Sequence, residues 1–554
     1  MRIIKNRLII SLITILCFTF YLRSPSYSAI QSPQSFSFAG VATQNMGLPI
    51  GMNLDFVNYY TPSLPFTDAM KSCGAMFTYP HGTWNIWNSA QIDKIPKDRN
   101  GWPTQIPYEV EGVQQDVRFM LNSLYDGEYV VLYDGVGTIT FGGVTPTVID
   151  GKQHINLPGI KTNISLNITS STYGNHIRNM RIIPVSYLAN ETTMPTFQPE
   201  YISGLKTFYA LRFMDFTQTN NNTIKEWAER NTKETYTQGN GRGVAWEHII
   251  DLSNQLSTDA WICIPHQASD DYLVNLATLL KNSLNSDKKI YLEFSNELWN
   301  WQFQQAGYVL NNATGHPNPY VSADLAAIGA AGVNHPEKDA YMMARTFRLF
   351  AQVFGDDMNT RVVRVATGQA AWTDNSRRIL KYLFETNGIG ADALAVGGYF
   401  GFNDTDHAIW NAMNPAEVTP EMILQSGVTY FPTHTAKYAR DSAAYAKQYG
   451  VKYLVYEGGQ HMQPYNQQDW AYNHAVYDAQ VHPGMYELYM TNFALHQEPV
   501  VDCQLFMAYS YIGPRVTKYG SWGHLENAQQ LSSPVTLKVT APKFKALLDV
   551  NRAK

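Results

Sequence analysis

The chain has 554 residues, more than a single hydrophobic core usually accommodates, so more than one compact unit is expected. Hydrophobic residues make up 45% and charged residues only 16%, which excludes a disordered chain. The 41 Lys and Arg set against 46 Asp and Glu leave a net charge of −5, with no basic surplus to grip nucleic acid. Aromatics reach 13%, and a charge-poor chain rich in Tyr, Trp and Asn fits a neutral polar partner such as polysaccharide.

Lys5 and Arg7 precede an apolar run from Leu8 to Leu22, and the stretch Arg23 to Ala29 is short and polar. This is the pattern of a signal peptide over 1–28, cut near Ser28 or Ala29. The run is shorter than the ~20 residues a membrane span needs. A secreted protein, extracellular or periplasmic, is therefore expected, with no membrane association once the leader is removed. Cys73, Cys263 and Cys503 are odd in number, widely spaced and set in apolar stretches, so they read as buried thiols. A monomer is expected.

Next in chain order, Leu48–Leu54 reads as a strand and Phe66–Met76 as the helix after it, which makes 45–118 the start of a barrel. From 119 to 200 the pattern changes to short alternating runs separated by Gly and Asp turns, among them Glu128-Tyr-Val-Val-Leu-Tyr and Asn163-Ile-Ser-Leu-Asn-Ile. That reads as a small antiparallel sandwich-like domain. From 201 to 554 strands alternate with helices, the rhythm of a parallel sheet. The predicted strands are Thr207–Met214, Ala260–Pro265, Lys289–Phe294, Val362–Ala366, Ala391–Val396, Lys452–Tyr456 and Cys503–Tyr509. The predicted helices are Asp271–Asn282, Asp339–Phe354, Ser376–Thr386, Thr435–Tyr449 and Met485–Leu495. With Leu48–Leu54 the strands number eight, and the fold class is α/β: a (β/α)₈ barrel with an all-β domain inserted after its first βα unit. A doubly wound sheet competes, but it would usually carry a Gly-rich phosphate turn, and no G-x-G-x-x-G follows a strand here.

Chemistry in such a barrel sits at the C-terminal ends of the strands. The fourth strand ends in Glu-Phe-Ser-Asn296-Glu297-Leu-Trp299-Asn-Trp301, and the seventh in Tyr-Glu457-Gly-Gly-Gln460-His461. A carboxylate ending two core strands is costly unless it is solvated, paired or functional. Two carboxyls facing each other across a barrel mouth supply the acid/base and nucleophile of glycosidic cleavage. Glu293 lies four residues before Glu297, so strand alternation aims both the same way, and Glu293 also reads as a buried structural partner of an Arg.

Asn296-Glu297 on one strand and Glu457 three strands later resemble the paired signature of glycoside hydrolase clan A, the retaining (β/α)₈ enzymes of the cellulase, mannanase and xylanase kind. The likeness covers the barrel order over most of 200–525. It implies Glu297 as general acid/base, Glu457 as nucleophile and Asn296 on the 2-hydroxyl of the sugar being cleaved. It also implies Arg212 as the cation beneath the nucleophile, His266 and Tyr399 along the subsite, and Trp522 as an aromatic floor. No cofactor and no metal are implied. Trp299 and Trp301 are further stacking candidates, and Trp84, Trp87 and Trp102 could extend a cleft. This sequence departs from the familiar cellulase form in reading Asn-Glu-Leu-Trp where that form has Asn-Glu-Pro. Arg212 with Asp215, and His266 or His461 in ordinary hydrogen bonds, stand as structural alternatives. Asp270-Asp271 with His266 is a weaker metal motif, because Asp271 reads as a helix start. The functional expectation is a secreted retaining β-glycosidase acting on a β-linked polysaccharide or oligosaccharide. The alternative is a non-catalytic carbohydrate-binding or adhesion protein on the same barrel.

Overall fold

A computed structural model describes residues 47–84, 88–159, 163–310, 318–321, 335–533 and 536–551. The signal-peptide reading over 1–28 and Trp87 lie outside the described residues.

The chain opens on β1 (Ile50–Asn53) and then runs through an all-antiparallel insert. The insert strands are β2 (Phe77–Pro80), β3 (Tyr108–Val110), β4 (Val113–Leu121), β5 (Asp126–Asp134), β6 (Gly137–Gly142), β7 (Thr147–Ile149), β8 (Lys152–Pro158), β9 (Ile164–Ser171) and β10 (Arg178–Pro184). They form two sheets, one in the order β10-β5-β8-β7 and one in the order β2-β4-β9-β6 with β3 on β4. Val117, Phe119, Ile155, Leu166, Ile168 and Ile182 meet in a common core, as inward-facing residues of a sandwich do.

The chain then returns to the barrel with β11 (Ala210–Arg212), β12 (Asp259–Ile264), β13 (Ile290–Phe294), β14 (Val362–Thr367), β15 (Ala393–Phe400), β16 (Lys452–Gln460) and β17 (Cys503–Ala508). All eight barrel strands are parallel, and β1 closes the ring by pairing with both β11 and β17. All eight predicted strands are present. Inside, Ala210, Trp261, Val365, Ala395, Leu454 and Met507 fill the lumen, with Trp261 stacked on Tyr291 at 5.3 Å. The helix Asp270–Ser283 begins where Ser269 accepts from Tyr272 N at 3.2 Å and two acids occupy its first turn. Asp270 also accepts from Arg345 Nε at 2.9 Å, which pairs that acid with a cation. Cys73, Cys263 and Cys503 are buried free thiols.

Two expectations fail between β1 and β11. Phe66–Met76 is not a helix; it holds one 3-10 turn, Ala69–Ser72. Its polar groups are drawn toward the insert: Asp68 Oδ1 accepts from Ile182 N at 2.8 Å, and Gly74 N donates to Met120 O at 2.9 Å. The sheets of the insert also start at Phe77, well ahead of residue 119, and β4 crosses that boundary. Its first half, Val-Gln-Gln-Asp, carries too little apolar alternation to be read as a strand. Trp102 is 1% exposed within the sandwich core and belongs to no cleft. Trp84 is 56% exposed, its backbone carbonyl accepting from Arg118 Nη1 at 3.0 Å.

Candidate active site

The last residue of β11, Arg212, is fully buried and organises the mouth of the barrel. Its Nε and Nη2 donate to Glu293 at 2.9 and 3.1 Å, and Nη1 donates to Glu457 Oε1 at 2.6 Å. Nη2 also reaches Asn296 Oδ1 at 2.8 Å, and Nη1 reaches Asn53 Oδ1 at 3.0 Å. A guanidinium is suited to this because its planar fork offers five donors in fixed directions. Glu293 is therefore the buried partner of an Arg, and it further accepts from Trp261 Nε1 at 2.7 Å and Cys263 Sγ at 3.2 Å. Arg212 does not pair with Asp215, whose Oδ2 instead accepts from Tyr509 Oη at 2.7 Å.

Glu297 reaches the mouth by a backbone device. Regular strand geometry stops at Phe294, and both Ser295 (φ 58°) and Glu297 (φ 40°) adopt left-handed conformations around Asn296. Such conformations are strained for residues with a Cβ and persist where surrounding contacts over-determine them. Here Arg212 anchors Asn296, Asn296 Nδ2 donates to Asn220 Oδ1 at 3.1 Å, and Asn300 Nδ2 donates to Glu297 Oε2 at 2.9 Å. The relation between Glu293 and Glu297 is thus not simple strand alternation.

Glu457 is placed by a different device. Along β16, Leu454 and Tyr456 face the lumen, so alternation would turn Glu457 outward. The pairing with β15 shifts between Val455 and Glu457, and that with β17 shifts over the same stretch. This is a bulge, and it brings two successive side chains to the inside. Asn53 Nδ2 donates to the freed carbonyl of Tyr456 and to that of Ala508, each at 3.1 Å. The following Gly458 admits no side chain, since a Cβ there would lie 2.3 Å from the Phe506 ring.

The two glutamates sit in unlike environments. Glu457 is 5% exposed and accepts from Arg212 and, through Oε2, from Tyr399 Oη at 3.0 Å. Burial, and then the charge of Glu457, push the Tyr399 phenol far above its ordinary range, so it remains a donor. Glu297 accepts only from Asn300 among the described residues. Burial, and secondly the nearby charge of Glu457, push its carboxyl from the usual 4.5 up to about 8. One carboxyl thus accepts from a guanidinium and a phenol, while the other is raised toward its protonated form. Beside them, burial raises Asp215 to about 6 and Asp55 to about 7; Asp55 accepts from Ser510 Oγ at 2.5 Å and Ile512 N at 2.9 Å. Sequence reading singled out neither Asn53, Asp55 nor Tyr509. Their one local signal is polarity at the ends of β1 and β17.

Tyr399 and His461 line a cavity of about 960 Å³ together with Glu297 and Trp299. Trp522 packs against Tyr399, Tyr509 and His461 at centroid distances of 5.9, 5.7 and 5.0 Å and does not itself line that cavity. Trp301 is 64% exposed and lies against His335 at 4.9 Å. His266 is 1% exposed, edge-on to Tyr308 at 5.1 Å, and does not line the cavity. Among the described residues, no group of three or more His, Cys, Asp or Glu is arranged to hold a metal ion.

No family model matches the chain, and no curated protein sequence matches it. Solved structures that it matches include glycoside hydrolases. One is a family 51 arabinofuranosidase from Xanthomonas axonopodis pv. citri, with 12% identity, 57% of this chain and 61% of that one covered, and a TM-score of 0.35. Another is the α-L-arabinofuranosidase from Thermotoga maritima, with 11% identity, 59% of each chain covered and a TM-score of 0.34. A third is a double mutant of the β-glucosidase from Trichoderma harzianum, with 12% identity, 59% and 83% covered and a TM-score of 0.33. The chain spans about 60% of the length of the first two.

Proposed function

We propose that this chain is an exported retaining β-glycoside hydrolase that cleaves a β-linked polysaccharide or oligosaccharide by double displacement, with Glu457 as nucleophile and Glu297 as general acid/base. The observation that carries this reading is the contrast between the two carboxyls: Glu457 bonded to Arg212 and Tyr399, and Glu297 raised to about 8 beside it. Environments that push two neighbouring carboxyls apart assign an acid and a base.

In the first step Glu457 attacks the anomeric carbon as its bond to the leaving oxygen breaks, and Glu297 gives that oxygen its proton. In the second, Glu297 takes a proton from water, whose oxygen bonds the anomeric carbon and releases Glu457. Asn296, fixed by Arg212 through its oxygen, has its amide directed as a donor, with Asn220 as its present acceptor. Arg212 supplies Glu457 with a counter-charge at 2.6 Å in a buried site.

The test is hydrolysis of a panel of β-glucans, mannans and xylans by the unaltered protein and by Glu297→Gln and Glu457→Gln. Reducing ends must appear with the unaltered protein and fall steeply in both variants. Binding to a glycan without hydrolysis of any panel member would leave a carbohydrate-binding protein. Export is tested separately, by whether the mature protein recovered outside the cytoplasm begins near residue 29.

A further inference from the structure

The two glutamates do not share the large cavity equally. Glu297 lines it, whereas Glu457, Asp215 and Trp522 do not. In double displacement the acid touches the oxygen of the departing group, while the nucleophile approaches the sugar from the opposite face. A space that contains the acid and excludes the nucleophile therefore lies on the leaving-group side.

The walls of this space have a definite chemistry. Tyr430, Tyr438 and Tyr465 present rings to it, from the helices and loops that follow β15 and β16. Two of these rings are stacked on histidines: Tyr430 on His434, which also lines the cavity, at 4.1 Å and 7°, and Tyr465 on His407, which does not, at 4.1 Å and 12°. A ring with one face fixed this way presents its other face in a set orientation, which suits the apolar face of a pyranose. Side-chain amides such as Gln369 and Gln463 intervene, and among the described residues the lining contains no Lys or Arg. Such walls favour an uncharged, hydroxyl-rich occupant over a uronate or a sulfated sugar. Gly401 keeps the space open: a Cβ there would meet only His461 O at 3.6 Å and the Tyr430 ring at 3.8 Å, both ordinary contacts.

We infer that this cavity is the leaving-group subsite, that it takes neutral sugar units joined through the scissile oxygen, and that Tyr430 and Tyr465 are its stacking platforms. The inference rests on the glycosidase reading above. It makes the chain selective for substrates that continue as neutral sugar beyond the bond being cut.

The experiment compares two substrates with the same glycone, one a neutral tetrasaccharide (cello-, manno- or xylotetraose) and the other the 4-nitrophenyl glycoside of that glycone alone. Tyr430→Ala and Tyr465→Ala in the full chain each lower kcat/KM on the tetrasaccharide by about tenfold more than on the aryl glycoside. Tyr430→Phe, which keeps the ring, recovers most of that difference, and Gly401→Leu, which fills the space without backbone conflict, reproduces it. Equal losses on both substrates overturn the inference and leave the glycosidase reading standing. Absence of hydrolysis by the unaltered protein on every substrate overturns the glycosidase reading itself, and the inference with it.

Discussion

Arg212 and Glu457 meet across the lumen of the barrel, Nη1 to Oε1 at 2.6 Å, although 245 residues separate them in the chain. The same guanidinium carries Glu293 on its other edge, so one cation serves two carboxyls where neither it nor Glu293 is exposed at all. Removing it leaves two acids buried without a counter-charge.

Arg212→Met is therefore expected to destabilise the fold by about 3–5 kcal/mol, the usual cost of breaking a buried ion pair. Urea denaturation reads this as a lowered midpoint with little change in slope. Adding Glu293→Gln to Arg212→Met should recover part of the loss, since one of the stranded acids is then neutral. A single variant as stable as the unaltered chain would mean that Arg212 contributes no net pairing.

Glu297 makes stability depend on pH in a predictable direction. Its carboxyl is raised in the folded chain from 4.5 to about 8, so below pH 4.5 both folded and unfolded chains hold the proton and nothing is lost. Between those values only the folded chain holds it, and stability falls as pH rises. Glu297→Gln removes this penalty. Its Tm relative to the unaltered protein should increase from pH 5 to pH 9, and a flat difference over that range would contradict the raised carboxyl.

On the proposed glycosidase reading, the same group sets the alkaline side of the activity profile. Hydrolysis should decline with an apparent pKa near 8 as Glu297 loses the proton it must donate. Glu297→Gln should cost about 10²–10⁴-fold on substrates with sugar leaving groups, and much less on aryl glycosides whose leaving group departs unprotonated. Equal losses on the two would remove Glu297 from the acid role.

Tyr399→Phe deletes the 3.0 Å hydrogen bond to Glu457 Oε2 while keeping the ring packed beside Trp522. A hydrogen bond to a charged group is worth about 1.5–3 kcal/mol, so kcat should fall roughly 10- to 100-fold with Tm nearly unchanged. An unaltered kcat would make Tyr399 a packing residue only.

Much of the barrel is legible in the sequence because its strands are short apolar runs flanked by Gly, Pro and polar turns. Ala260–Pro265 against the observed Asp259–Ile264 is one instance. Strands that end in glycine and polar residues are read too short: β16 runs on to Gln460, four residues past the predicted Tyr456. Glu297, just past the end of β13, and Glu457, late in β16, stand out because a carboxylate is conspicuous in such runs. Their partners do not stand out from the residues alone: Arg212 beneath Glu457 is expected only from the family resemblance. That Arg212 turns to Glu293 and Glu457, while Asp215 takes Tyr509, depends on which strands become neighbours and on the left-handed turn at Ser295. The segment 66–76 was unreadable as a helix breaker for a similar reason, since its hydrogen-bond partners lie on strands 40 or more residues away.

The bulge in β16 means that the depth of Glu457 in the barrel is a matter of strand length as well as of residue type. Deleting Tyr456 would let β16 run in even register along both neighbours and would draw the carboxylate about 3.3 Å inward, onto the level that the phenol ring now fills. Every remaining residue would be the original one, and the eight strands could still close. Its reach toward a substrate would be gone, a separation of scaffold from chemistry that no scan of single substitutions samples.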